Sequence, residues 1–213
     1  MLIINSETEA YCTSISQAEP SVLKEIRRDT YVNVMQPRML SGHFQGRLLS
    51  LISNLMRPHR VLEIGTYTGY SSICLAEGLS KNGKVISIDV NEELEGRIKA
   101  NFDKAGQTDK VNFMAGDAAH IIPELNETFD LVFIDADKRN YQKYFDLVID
   151  KVKIDGLIIS DNVLWDGKVF DPEAKDLTTK ALRKYNLSLK ENNRIQTVLL
   201  PIRDGLLVAR KIS

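Results

Sequence analysis

The apolar positions of this chain change rhythm twice. Up to residue 57 they recur at helical spacing. Val22, Leu23 and Ile26 make one such face behind Pro20, a residue suited to opening a helix. Leu48, Leu49, Ile52, Leu55 and Met56 continue the pattern at i, i+1, i+4, i+7 and i+8, and Pro58 stops it. From residue 61 the apolar residues gather into runs of strand length: Val61–Ile64, Val85–Ile88, Val111–Met114, Leu131–Ile134 and Leu157–Ile159. Helical faces lie between some of them. Leu94, Ile98 and Phe102 step by four after the capping residue Asn91 and end at Gly106, and Tyr141, Tyr144, Phe145 and Val148 mark another. Unbroken apolar runs are expected of strands covered on both faces, and strands alternating with helices imply right-handed crossovers in a parallel sheet. Near the end, Gln196–Leu200 and Leu206–Arg210 flank Pro201-Ile202-Arg203-Asp204-Gly205, whose Asp-Gly signals a hairpin. The pattern predicts a doubly wound α/β sheet, mostly parallel with a C-terminal antiparallel pair, in one domain over residues 1–213. Within it, 1–57 form a helical extension and 58–213 the core.

Ligands of open α/β sheets bind beyond the carboxyl ends of the strands. The first strand is followed by Gly65-Thr66-Tyr67-Thr68-Gly69, and the second ends in Asp89. Gly116-Asp117-Ala118 follows the third, Asp135-Ala136-Asp137-Lys138 the fourth, and Ser160-Asp161-Asn162 the fifth. A glycine loop or an acidic residue therefore stands at all five ends, which points to a ligand cleft. Glu63-x-Gly65-x-x-x-Gly69 is not the G-x-G-x-x-G dinucleotide fingerprint, because position 67 is tyrosine. Taken alone it fits a plain strand-to-helix turn as well as a ligand loop. Glu63 adds a carboxylate for a positive ligand, and Asp89, 24 residues beyond Gly65, stands where a carboxylate bonds ribose hydroxyls. A nucleoside that carries positive charge and lacks a pyrophosphate, such as S-adenosylmethionine, suits that pair.

Asp135, Asp161 and Asn162 offer hard oxygen ligands from neighbouring strand ends, suited to Mg2+, Mn2+ or Ca2+ rather than to zinc. Alone, Asp161-Asn162 would serve equally as a cap. Lys138 opens the next helix, where lysine is usually solvated. In a desolvated cleft beside a divalent cation its pKa could fall far enough for general-base work.

Composition narrows the field. With 28 basic and 29 acidic residues the formal charge is −1, which argues against a dedicated nucleic-acid surface. Its 213 residues are enough to bury a core without staples, and two cysteines, Cys12 and Cys74, fit a reducing compartment. No apolar run has membrane-spanning length and MLIINSETEA shows no leader pattern, so the expectation is a cytoplasmic protein. His43, His59 and His120 have no ligand spacing, Cys74 reads as core, and Tyr141, Tyr144 and Phe145 as a packed helix face.

The segments VLEIGTYTGYSS, ISIDV, GDA, FIDADKRNY and ISDNVLWDG resemble the motifs of the cation-dependent O-methyltransferases, the family of caffeoyl-CoA and catechol O-methyltransferases. The resemblance runs from about Met39 to the C-terminus. It implies a Rossmann-like seven-stranded fold, S-adenosylmethionine as cofactor, a divalent cation with Mg2+ foremost, and a homodimer. Met39 and Ser41 would flank the cofactor, and Glu63, Gly65, Thr66 and Ser71 would hold its methionine part. Asp137 would meet its amino group beside Asp135. Asp89 would bind the ribose, with Asp117 and Ala118 at the adenine. Asp135, Asp161 and Asn162 would ligate the metal, and Lys138 would be the base. Met39, Lys138, Trp165 and Asp166 would border the acceptor. Plant members often carry Asn where this chain has Asp166, a position that touches the substrate in those enzymes, so caffeoyl-CoA itself is not the expected acceptor, and residues 1–38 match poorly. The implied reaction is methylation of one hydroxyl of a catechol-type phenol. A hydroxylated uridine in tRNA is a second acceptor class, a non-catalytic binding module a third reading, and a dehydrogenase the weakest.

Overall fold

A computed structural model of the chain describes residues 6–213. Residues 1–5, at the head of the segment inspected for a leader, lie outside them. Three helices come first: α1 (Ser6–Ile15), α2 (Ser21–Asn33) and α3 (Gly42–Met56). Pro20 caps α2 from just outside it, and α3 ends two residues before Pro58 as Arg57 turns left-handed at φ 50° and donates its N–H to the Ser53 carbonyl. The alternating part follows as β1 (Arg60–Ile64), α4 (Tyr70–Ala76), β2 (Lys84–Asp89), α5 (Glu95–Lys104), β3 (Val111–Ala115), α6 (Ala118–Glu124), β4 (Phe129–Ile134), α7 (Tyr141–Val148) and β5 (Val152–Asp161). The chain closes with α8 (Leu177–Glu191), β6 (Ile195–Leu200) and β7 (Leu206–Lys211).

The seven strands form one sheet in the order β3-β2-β1-β4-β5-β7-β6. β1 to β5 are parallel, and β7 runs antiparallel to both β5 and β6. Successive strand residues feed opposite cores. Leu62, Ile64, Val132 and Ile134 pack with Phe145, Tyr185 and Leu189 on one face, whereas Val61, Leu131 and Phe133 pack with Leu49, Tyr70 and Phe102 on the other. Both faces are dry, which is why these runs show no polar alternation. No helix among the described residues is long and apolar enough to cross a membrane.

Two features depart from the sequence pattern. β5 is ten residues long and includes Lys153-Ile154-Asp155-Gly156 before its apolar run. Phe129 pairs with Val152 but Leu131 with Leu157, so two steps on β4 face five on β5, and Asp155 takes a left-handed φ of 68° in that bulge. Helix α8 was not anticipated; its buried Thr179, Leu182, Tyr185 and Leu189 are spaced three, three and four apart, and Asp176 caps it by accepting the Thr179 N–H at 2.9 Å. The strand order reverses between β1 and β4. That crevice is where such folds bind ligands.

Candidate active site

The β1 end builds one bank of the crevice. Gly65 donates its N–H to the Ile88 carbonyl at 2.8 Å and sits at φ 101°. A Cβ there would collide with the Asp135 backbone carbonyl, so only glycine lets the β1 loop lie against the β4 end. Asp89 accepts the Tyr67 N–H at 2.7 Å through one oxygen and the Asn91 N–H at 2.8 Å through the other, which ties the second strand end to the first loop. Glu63 is fully buried, and Ser72 and Ser87 both donate to its Oε2, while Thr66 bonds Ser87 at 2.6 Å. Burial pushes the Glu63 carboxyl up to about 7, against the pull of the Ser71, Ser72 and Ser87 hydroxyls. Its Oε1 lacks a well-aligned hydrogen bond. Thr66 and Ser71 are buried beside it. Asp117 caps α6 by accepting the Ala119 N–H at 2.8 Å, and the adjoining Ala118 is buried.

The ends of β4 and β5 build the other bank. Ile134 pairs with Ser160, which makes Asp135 and Asp161 neighbours in register. Lys138 is held between two partners, donating to Asp135 Oδ1 and to the Tyr141 hydroxyl, each at 2.7 Å. Tyr141 is buried and donates to the Asp161 carbonyl at 2.8 Å. Lys138 is therefore a fixed side chain within the cleft, not a solvated one. Asp137 accepts the Arg139 N–H at 3.1 Å and the Asn140 amide at 2.9 Å, so it shapes the turn that presents Lys138. Asp161 is buried, and burial with the neighbouring Asp135 charge raises its carboxyl above the usual range. Its Oδ1 accepts the Asn162 N–H at 2.7 Å and its Oδ2 the Gln45 amide at 2.6 Å.

The donor chemistry fits a hard divalent cation. Two carboxylates stand on adjacent strand ends, Asp161 buried and Asp135 partly so, and Lys138 contacts only Asp135. Among the described residues, nothing hydrogen-bonds the Asn162 side-chain amide or Asp135 Oδ2. Asn162 sits at φ 57°, a left-handed strand end that asparagine tolerates. The set has two carboxylates and one amide, and no group of three or more His, Cys, Asp and Glu assembles among the described residues.

The rim comes from three segments. Met39 is exposed in the short turn Pro37–Met39, whereas Ser41 is buried and its carbonyl accepts from Arg203. Trp165 and Asp166 are both left-handed, at φ 52° and 53°, in the turn after β5. Trp165 packs on the core, and Asp166 donates its N–H to Asp204 at 2.7 Å. Asp204 is half-buried, and its carboxyl is raised by that burial. Among the described histidines, only His120 comes near a bank residue, standing 3.5 Å from Asp117 at the surface, and His43 bonds the Gln17 carbonyl at 2.7 Å. Sequence reasoning gave no role in the site to Gln45, Arg203, Asp204 or the hydroxyl of Tyr141. Tyr141 carried a signal, standing three residues after Lys138 as Lys138 stands three after Asp135. The others meet the site across long chain separations, 116 residues for Gln45 and Asp161.

The arrangement places carboxylates of Glu63, Asp89, Asp117, Asp135, Asp137 and Asp161 at one sheet edge, with Lys138 set among them. Comparison with known proteins gives the family. The family model described as O-methyltransferase matches residues 13–212. The chain is 36% identical to a caffeoyl-CoA O-methyltransferase of Petroselinum crispum, over 94% of this chain and 88% of that one. Its fold matches the SAH-bound methyltransferase of Podospora anserina at a TM-score of 0.89 and 29% identity, covering 99% and 97% of the two chains. It matches the O-methyltransferase from Bacillus cereus in complex with SAH at 0.87 and 27% identity, covering 96% and 97%. A glycine loop tied to an acidic strand end, followed by a lysine bridging carboxylate and phenol, is thus carried by a chain that belongs to the family of S-adenosylmethionine-dependent O-methyltransferases.

Proposed function

We propose that this protein transfers the methyl group of S-adenosylmethionine to one hydroxyl of a catechol-type phenol, with a divalent cation, Mg2+ foremost, at the β4–β5 edge. The carrying observation is Lys138, fixed at 2.7 Å from both Asp135 and Tyr141 beside the buried Asp161. Glu63, Gly65, Thr66 and Ser71 hold the methionine part, Asp135 and Asp137 face its amino group, Asp89 takes the ribose, and Asp117 with Ala118 borders the adenine. Met39 and Ser41 close over the cofactor, and Met39, Trp165 and Asp166 border the acceptor. Asp135, Asp161 and Asn162 would hold the cation, whose chemistry is to favour the phenolate over the phenol and to orient a vicinal diol. Lys138 takes the hydroxyl proton, and Tyr141 and Asp135 keep its amine in place. The acceptor oxygen then forms its bond to the methyl carbon as the carbon–sulfur bond breaks, and the neutral thioether leaves. Holding both reactants in line supplies most of the acceleration. A single domain, a cytoplasmic setting and a homodimer belong to the same reading, supported by the free Cys12 and Cys74 and by the family resemblance.

The test is a methyl-transfer assay with labelled cofactor on a panel of catechols, phenolic thioesters and bulk tRNA, with Mg2+ and with excess EDTA. Catechols should be labelled, and chelation should abolish turnover until Mg2+ is restored. Full turnover in EDTA would remove the metal, and labelling of tRNA alone would replace the acceptor.

A further inference from the structure

The geometry points to Gln45 and Arg203 as a positioning pair for Asp161, a one-way hydrogen-bond chain that holds this carboxylate in the orientation a divalent cation needs. The inference rests on the metal reading above and adds two residues to it.

The direction of the chain follows from donor chemistry. A guanidinium only donates and a carboxylate only accepts, so the amide between them has one allowed orientation. Arg203 Nη1 meets Gln45 Oε1 at 3.3 Å, and Gln45 Nε2 meets Asp161 Oδ2 at 2.6 Å. Gln45 is completely buried in the first turn of α3 and Asp161 is almost so. An amide with no access to water must find both partners inside the protein, and here one of them is a proposed metal ligand. Asp161 Oδ1 is held by the N–H of the next residue, so the Gln45 bond is what fixes the second oxygen.

A neutral amide orients a carboxylate without cancelling its charge. A lysine or arginine at position 45 would pair with Asp161 and compete with a cation for it. The positive charge of the relay stands one residue further out, on Arg203, where it polarises the amide and strengthens its donor end. Arg203 is itself well anchored: it also donates to the Ser41 carbonyl at the start of α3. It takes a left-handed φ of 50° at the hairpin tip between β6 and β7, a conformation that costs free energy in a non-glycine residue. One side chain thus ties the hairpin to the α3 entry and, through Gln45, to the β5 end.

The test compares Gln45→Met, Arg203→Met and the double variant, titrating Mn2+ by calorimetry in the presence of SAH. SAH affinity and melting temperature are measured on the same samples. Gln45→Met should bind Mn2+ about 10- to 100-fold more weakly, as loss of an outer-shell partner does, with SAH affinity within about twofold. Arg203→Met should lose about threefold, and the double variant should be no worse than Gln45→Met, because both act through one bond. Unchanged Mn2+ affinity in Gln45→Met, or losses that multiply in the double variant, would overturn the pair. If Gln45→Met does not fold, Gln45→Leu takes its place: it has neither the amide donor nor the acceptor, so Mn2+ affinity should fall as for Gln45→Met and become insensitive to Arg203→Met; continued sensitivity overturns the relay. A wild-type protein that binds no Mn2+ at all would overturn the metal reading and this inference with it, whereas wild-type binding with unaltered variants overturns this inference alone.

Discussion

The two banks of the crevice are built by different means. On the β1–β2 side the contacts are short in sequence: Asp89 reaches Tyr67 across 22 residues and Ser87 reaches Glu63 across 24. Backbone N–H groups and hydroxyls supply the bonds there, and glycine supplies the close approach. On the β4–β5 side, Gln45 reaches Asp161 across 116 residues and Arg203 reaches Gln45 across 158. Gln45 brings the start of α3, and through Arg203 the β6–β7 hairpin, to the Asp161 carboxylate, while Lys138 and Tyr141 reach Asp135 and the Asp161 carbonyl locally. The first bank is a local device, and the proposed cofactor site is there. The second exists only in the assembled fold, and the proposed chemistry is there.

The largest effect should come from the second bank. Lys138→Ala removes the amine that bridges Asp135 and Tyr141. As the proposed base its loss should lower kcat by about 10²- to 10⁴-fold, while SAH affinity stays near that of the native protein. Steady-state rates and SAH calorimetry on the same preparation check this. A rate equal to wild type would remove Lys138 as the base; a matching collapse of SAH affinity would make the two banks one unit.

The same contrast governs what could be read from the chain. The first five strands stood out as short apolar runs, most clearly β1 and β4, which are buried on both faces, whereas β6 and β7 were marked by the Asp-Gly link between them; β6 is a sheet edge with polar Gln196 and Thr197 and a largely exposed Val198. The β5 extension did not, since Lys153, Asp155 and Gly156 break the apolar pattern at a bulge that only the β4 pairing explains. Helix α8 opens with Leu177, which is exposed, so its buried face begins late. In the site, the neighbourhood of Asp135 and Asp161 was legible because topology places the ends of adjacent strands together. Gln45 and Arg203 were not, because a glutamine on a helix and an arginine in a turn carry no local signal of a partner so far along the chain. Tyr141 was anticipated as packing and is indeed buried, yet its hydroxyl also links Lys138 to the Asp161 backbone.

A second, smaller effect tests the first bank. Glu63 has a carboxyl raised from 4.5 to about 7, so the fold favours its protonated form. Its contribution to stability is complete below pH 4.5, falls as pH rises toward 7, and is gone above it, a change of about 3 kcal/mol. Glu63→Gln should flatten that part of the curve and leave the ligand-free protein more stable than wild type at pH 8. Binding of a positively charged cofactor favours the ionised form, so wild-type affinity should rise with pH through about 7 and the variant's should not. Thermal unfolding from pH 5 to 8, with and without cofactor, separates the two. Identical pH dependence in both proteins would deny Glu63 an ionisation change in this range.

The smallest effect decides whether Asp117 belongs to the first bank as a ligand or only as a cap. Its Oδ1 accepts the Ala119 N–H at 2.8 Å, a bond that serine can replace, while its Oδ2 faces His120 at 3.5 Å on an exposed surface. Asp117→Ala should therefore cost about 1 kcal/mol of stability through the lost cap, and Asp117→Ser only a few tenths. If the carboxylate also meets the adenine, both variants should lose about threefold in SAH affinity, since an exposed hydrogen bond is worth about 1 kcal/mol or less. Serine thus uncouples the two roles: it keeps the helix start and discards the charge. Undiminished SAH affinity in Asp117→Ser would leave Asp117 a cap alone, and the adenine contact would then fall to the buried Ala118 and the loop backbone.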